Sequence, residues 1–162
     1  MSKKRLKEVC WGIIGTGDVA EYKGGPPLYK APNSRLVAVM SRSEQKVKSF
    51  AERHGAERWY TDAGELIRDP EVNAVYIATP PHVHRALSEQ AAAAGKHILL
   101  EKPMAPSVAD CEAIIQACRK HDVQLIVAYY RRFFPVVMKM KELLDEGAIG
   151  RPIRARDCPE SP

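Results

Sequence analysis

A chain of 162 residues, 45% hydrophobic and 28% charged, is sized and composed for one globular domain with its own core. Its formal net charge of +5 is gathered mostly at the ends, in Lys3, Lys4, Arg5 and Lys7 and in Arg151, Arg154 and Arg156. Solvated end clusters of this kind argue against nucleic acid and suit an anionic small ligand equally well, and the lack of any membrane-length apolar run or leader pattern points to a cytoplasmic protein with no membrane partner.

The first β-rich run, Val9–Ile14, leads straight into Gly15-Thr16-Gly17-Asp18-Val19-Ala20, a GxGxxG/A pattern in the strand-to-helix setting that gives it meaning. Gly15 suits a tight turn, Gly17 a close approach of pyrophosphate to the backbone, and Ala20 close packing of helix on sheet. The helix N-terminus would add amides and positive dipole. A purely structural glycine turn is the alternative. Gly24-Gly25-Pro26-Pro27 is expected to break this helix, leaving a short helical turn and then a loop beside the ligand cleft.

The second strand, residues 36–40, ends in Met40-Ser41-Arg42-Ser43. A carboxylate at such a tip binds the ribose 2′-hydroxyl of NAD, whereas a basic residue accommodates the 2′-phosphate of NADP. Ser41, Arg42, Ser43 and Lys46, with no carboxylate among them, favour NADP(H), with NAD(H) as the alternative. The plainer reading is an exposed Arg beside a Ser helix cap. Gly55 marks the end of the helix that follows, and a weaker strand covers Arg58–Tyr60.

The run at 74–78 is almost wholly apolar and opens onto Thr79-Pro80-Pro81-His82-Val83-His84. Loops at strand carboxyl ends are where open α/β sheets bind ligands. His82 and His84, two residues apart, diverge at a helix start and make a poor metal pair, so each reads first as a polar loop or cap residue and no metal is expected. The next helix carries a small-residue run at 91–94 and stops at Gly95.

The fifth strand, His97–Leu100, ends in Glu101-Lys102-Pro103. Lys102 is the sharpest catalytic candidate, because a partly desolvated ammonium there would favour the alkoxide-like charge that develops during hydride transfer. A solvated rim Lys, with Glu101 as its ion-pair partner, is the alternative. Ser107 and Asp110 read as a helix-capping pair. Cys111 and Cys118 then share a helix but sit two turns apart, and with Cys10 and Cys158 they read as buried free thiols. The sixth run, 124–128, ends in Tyr129-Tyr130-Arg131-Arg132-Phe133, where one Arg would face the ligand and its neighbour solvent.

Strands alternating with helices, the strongest of them apolar on both faces, specify a doubly wound parallel sheet of the α/β class. It is expected over 1–150 as a dinucleotide-binding Rossmann domain, with 151–162 as the start of a truncated second domain or a disordered tail.

Taken in order, GTGDVA, ATPPHVH, LLEKP, AYYRRFFP and GAIGRP resemble the glucose-fructose oxidoreductase, inositol dehydrogenase and MocA (Gfo/Idh/MocA) family over about residues 9–154. The resemblance implies that Gly15, Thr16, Gly17, Asp18 and Val19 line a pyrophosphate site, and that Ser41 and Arg42 meet the adenosine ribose. It places Thr79, Pro80 and His84 at the middle of the cofactor and Glu101 and Lys102 at the nicotinamide ribose, with Lys102 touching substrate. Arg132, rather than Arg131, is the implied cofactor contact. Family members oxidise a sugar, inositol or related diol hydroxyl reversibly with NAD(P), using a second α/β domain that carries the His proton carrier and commonly the dimer interface. Here Asp157-Cys158-Pro159-Glu160-Ser161-Pro162 does not look like a family strand. The expectation is a cofactor half that binds dinucleotide without completing catalysis on a small polyol or sugar, with a non-catalytic module that needs a partner chain as the alternative. A homo-oligomer is compatible with either.

Overall fold

The computed structural model describes residues 6–154, so Lys3, Lys4, Arg5, Arg156 and the tail at 157–162, Cys158 included, lie outside the described residues. The chain divides into two compact units between Ala128 and Tyr129.

In the first unit, β1 (Val9–Ile14), β2 (Ser34–Met40), β3 (Arg58–Tyr60), β4 (Ala74–Ile77), β5 (His97–Leu100) and β6 (Leu125–Val127) form one sheet in the order β3-β2-β1-β4-β5-β6. Every pairing is parallel. The order reverses between β1 and β4, and at such a switch point the loops leaving the strand ends part to form a crevice.

Helices cover both faces, which is why the central strands are apolar throughout. Helices α1 (Gly25–Lys30) and α2 (Glu44–His54) enclose Ile13, Leu36, Val39 and Tyr76 with Leu28, Val47 and Phe50. Helices α3 (Ala63–Arg68), α4 (His84–Ala93) and α5 (Val108–Lys120) enclose Ile14, Val75, Ile77, Ile98 and Leu100 with Leu66, Ala91 and Ile114. All four residues of β4 are buried. Ala91 and Ala92 are fully buried, so the small-residue run serves close packing. One extra residue, Val37, enters β2 where β1 passes from Trp11 to Gly12.

The expected capping chemistry is present. Ser43 and Ser107 accept hydrogen bonds from the backbone N–H groups of Lys46 and Asp110, and the Ser107 hydroxyl donates to Asp110 Oδ2 at 2.6 Å. Gly55 and Gly95 both have positive φ after their helices. Cys10 and Cys118 are buried free thiols, whereas Cys111 is only half-buried on α5.

The first helix departs from expectation. Gly24 to Pro27 do not lead into a loop: a wide π-type turn over Val19–Gly24 runs directly into α1, and the Gly25 N–H donates to the Ala20 carbonyl. The prolines fall in the first turn of α1, where a missing N–H costs nothing. Gly24 is required for a different reason, since a Cβ there would lie 2.0 Å from the Tyr76 hydroxyl.

Polar groups tie the amino-terminal edge of the sheet. Buried Asp69 accepts from Arg58 Nε at 2.9 Å and from the Tyr60 hydroxyl at 3.0 Å. Buried Lys96 donates from Nζ to the carbonyls of Asp69 and Val72 at 2.8 and 2.6 Å.

The second unit holds a short 3-10 turn, Tyr130–Phe133, and α6 (Pro135–Asp145). Among the described residues no helix is long and apolar enough to cross a membrane.

Candidate functional site

The glycine turn is wedged between two strand ends. Gly15 has φ +101° and donates its N–H to the Met40 carbonyl at 2.9 Å. A Cβ on Gly15 would stand 2.6 Å from the Ala78 carbonyl oxygen and 3.2 Å from Thr79 Cγ2, so the turn rests on the loop leaving β4. At Gly17, by contrast, a Cβ would meet nothing within 4 Å. Gly17 opens onto a groove of about 500 Å³ shared with Thr16, Asp18, Lys46 and Ser49. Asp18 and Val19 are exposed at the start of the π-type turn.

At the tip of β2, the Ser41 N–H donates to the Tyr60 carbonyl at 3.2 Å, which fixes the backbone. Arg42 is exposed and has no ion-pair partner among the described residues. Its guanidinium is therefore available to an anion. Ser43 is committed to capping α2.

The loop after β4 presents Thr79, whose hydroxyl oxygen is buried and has no hydrogen-bond partner among the described residues. Pro80 and His82 are exposed. His84, the first residue of α4, is fully enclosed. Its Nε2 lies 2.8 Å from the Thr79 carbonyl oxygen and its Nδ1 lies 3.1 Å from that of Met104.

The loop after β5 begins at Glu101, which is buried. One carboxylate oxygen accepts from the Tyr76 hydroxyl at 2.7 Å and the other from the Lys102 N–H at 3.0 Å. The alternative in which Glu101 pairs with the Lys102 ammonium is thus not realised: the carboxylate turns inward to tyrosine and to backbone. Lys102 is exposed in the chain by itself rather than partly desolvated. Tyr76 was not foreseen as a site residue, because it sits inside a run that reads as purely apolar. Arg132 belongs to the second unit, with its guanidinium 5.4 Å from the Phe133 ring centroid.

A second polar cluster joins the π-type turn to α1 and α2. Arg53 pairs with Glu21 through both carboxylate oxygens, at 3.1 and 2.8 Å. His54 bridges Glu21 and the Tyr29 hydroxyl at 3.0 and 2.8 Å. No sequence signal pointed to this cluster, since its members lie up to 33 residues apart.

The residues at this edge fit a nicotinamide dinucleotide. The turn is unobstructed at Gly17, and among the described residues neither the buried Thr79 hydroxyl nor the Arg42 guanidinium has a partner. Residues 9–129 match the profile of an oxidoreductase family with an NAD-binding Rossmann fold, the Gfo/Idh/MocA family. The chain belongs to this family.

Among relatives, an oxidoreductase from Formosa agariphila is 50% identical over 147 residues, which is 91% of this chain and 46% of that protein. The scyllo-inositol dehydrogenase of Lactobacillus casei, solved with NAD(H) and scyllo-inositol, superposes with a TM-score of 0.82 at 26% identity, covering 89% of this chain and 43% of the other. A 3-ketoreductase from Actinomadura kijaniata, solved with NADP and TDP-benzene, superposes with a TM-score of 0.82 at 30% identity, covering 89% of this chain and 44% of the other. The chain spans about half the length of the relatives it matches.

Proposed function

We propose that this chain is the cofactor-binding half of an NAD(P)-dependent oxidoreductase that acts on a hydroxyl of a sugar, inositol or related diol, with NADP(H) preferred. The observation that carries the reading is the unobstructed glycine turn at the β1/β4 switch point, seated on a loop whose buried Thr79 hydroxyl has no partner among the described residues. Relatives solved with NAD(H) and with NADP support the cofactor class, and the inositol dehydrogenase among them supports the substrate class.

In this reading the backbone of Gly15, Thr16 and Gly17, with Asp18 and Val19 at the start of the turn, holds the pyrophosphate. Ser41 and Arg42 meet the adenosine ribose, and Arg42 pairs with a 2′-phosphate as a charge-assisted donor. Thr79 and Pro80, with His84 behind them, border the middle of the cofactor. Glu101 and Lys102 border the nicotinamide ribose. The nicotinamide, when bound, accepts or supplies the hydride. Lys102 would hold the substrate oxygen and favour its developing negative charge. Turnover needs in addition a group that moves the hydroxyl proton and surfaces that hold the substrate, and the residues named here account for dinucleotide binding. A cytoplasmic setting accords with this chemistry.

Calorimetric titration with NADPH and with NADH tests the reading. Saturable one-to-one binding, tighter for NADPH, is expected. A folded chain that binds neither overturns it.

A further inference from the structure

His84 is wholly buried, with its ring out of reach of solvent. Its two nitrogens lie instead against the carbonyls of Thr79 and Met104, at 2.8 and 3.1 Å. These carbonyls belong to different loops. Thr79 follows β4 and supports the glycine turn, whereas Met104 stands two residues past Lys102 in the loop that follows β5. In either neutral tautomer the ring N–H holds one carbonyl, and the imidazolium holds both.

We propose that His84 is a positioning residue that clamps the β4 and β5 loops together, setting the spacing between Thr79 and Lys102 and so shaping the nicotinamide half of the site. The inference rests on the dinucleotide reading above and extends it. Glu101 supports the same loop from the other side, because it accepts the Lys102 N–H. The β5 loop is thus held at two points by buried polar side chains, at the Lys102 N–H by Glu101 and at the Met104 carbonyl by His84. In a doubly wound sheet the two halves of a dinucleotide lie on opposite sides of the switch point. The clamp joins only loops of the β4–β5 side. The tip of β2, which the reading gives to the adenosine ribose, lies on the other side of the switch point from the clamp.

The test compares whole dinucleotide with its adenosine fragment. Wild type, His84→Phe and His84→Gln are each titrated with the tighter of NADPH and NADH, and with the matching 2′,5′-ADP or AMP. For His84→Phe, dinucleotide affinity is expected to fall about tenfold while fragment affinity stays within about twofold. His84→Gln, whose amide can donate to one carbonyl, is expected to recover most of the loss. An unfolded fraction weakens both ligands alike and leaves their ratio unchanged, so poor folding of one variant cannot mimic the result. A ratio equal to wild type in both variants overturns the clamp. A wild-type chain that binds no dinucleotide overturns the underlying reading, and the clamp with it.

Discussion

The Tyr76 hydroxyl donates to Glu101 across the β4–β5 pair at 2.7 Å, inside the sheet and out of solvent. A carboxylate that deep is tolerated only while its oxygens are hydrogen-bonded. Tyr76→Phe removes one donor and leaves that oxygen unsatisfied. The variant is expected to lose about 1–3 kcal/mol of stability, read as a lower urea midpoint at unchanged slope. An unchanged midpoint would mean that Glu101 finds another donor.

Gly15 and Gly17 separate structure from binding. A Cβ at Gly15 meets the Ala78 carbonyl oxygen at 2.6 Å in a turn with φ +101°, so Gly15→Ala is expected to destabilise the fold. At Gly17 there is room for the methyl group, so Gly17→Ala should melt like wild type. It should nonetheless bind dinucleotide at least about tenfold more weakly, because the methyl group occupies the space that the pyrophosphate needs. Melting curves and titrations of the two variants decide this, and wild-type affinity in Gly17→Ala would remove the glycine turn from the site.

Arg42 is exposed and unpaired among the described residues, so its removal disturbs nothing else. In calorimetric titrations, Arg42→Ala is expected to weaken NADPH about tenfold through the loss of a charge-assisted contact, while NADH is unaffected. Equal losses for both would assign Arg42 a role unrelated to the 2′-phosphate.

Burial by itself would raise the Asp69 carboxyl, but the Glu71 N–H, the Tyr60 hydroxyl and Arg58 together outweigh it and hold the group below its ordinary value. A carboxyl more acidic in the folded chain contributes stability above its unfolded pKa, about 4, and loses it as pH falls through the folded value. Asp69→Asn should therefore melt below wild type at pH 7, and the gap should narrow below about pH 4. Melting followed by circular dichroism from pH 3 to 8 shows this, and a gap that stays constant would discount the carboxylate.

Lys96 Nζ satisfies two backbone carbonyls at the buried N-terminal edge, although burial pushes its ammonium below the usual range. Lys96→Met fills similar space without donors. The two orphaned carbonyls are expected to cost about 2 kcal/mol, lowering the melting temperature by roughly 5 °C. A wild-type melting temperature would show that water replaces the amine.

The strands, their all-parallel pairing, the glycine turn and the helix ends were legible in the sequence, because each depends on neighbours along the chain. Unbroken apolar runs such as Ala74 to Ile77 require cover on both faces, Ser107 finds its N–H three residues on, and Gly15 follows directly from β1. What only the tertiary structure decided involves residues far apart in sequence. Glu101 takes the hydroxyl of Tyr76, 25 residues earlier on the adjacent strand, and the backbone N–H of Lys102 in place of its ammonium. His84 faces carbonyls on two loops where the sequence suggested a polar cap, and Gly24 is a glycine because Tyr76 lies beneath it. Local patterns select the elements, but a buried polar group takes whichever partner packing brings within 3 Å, and that is set by the strand order and register of the finished sheet.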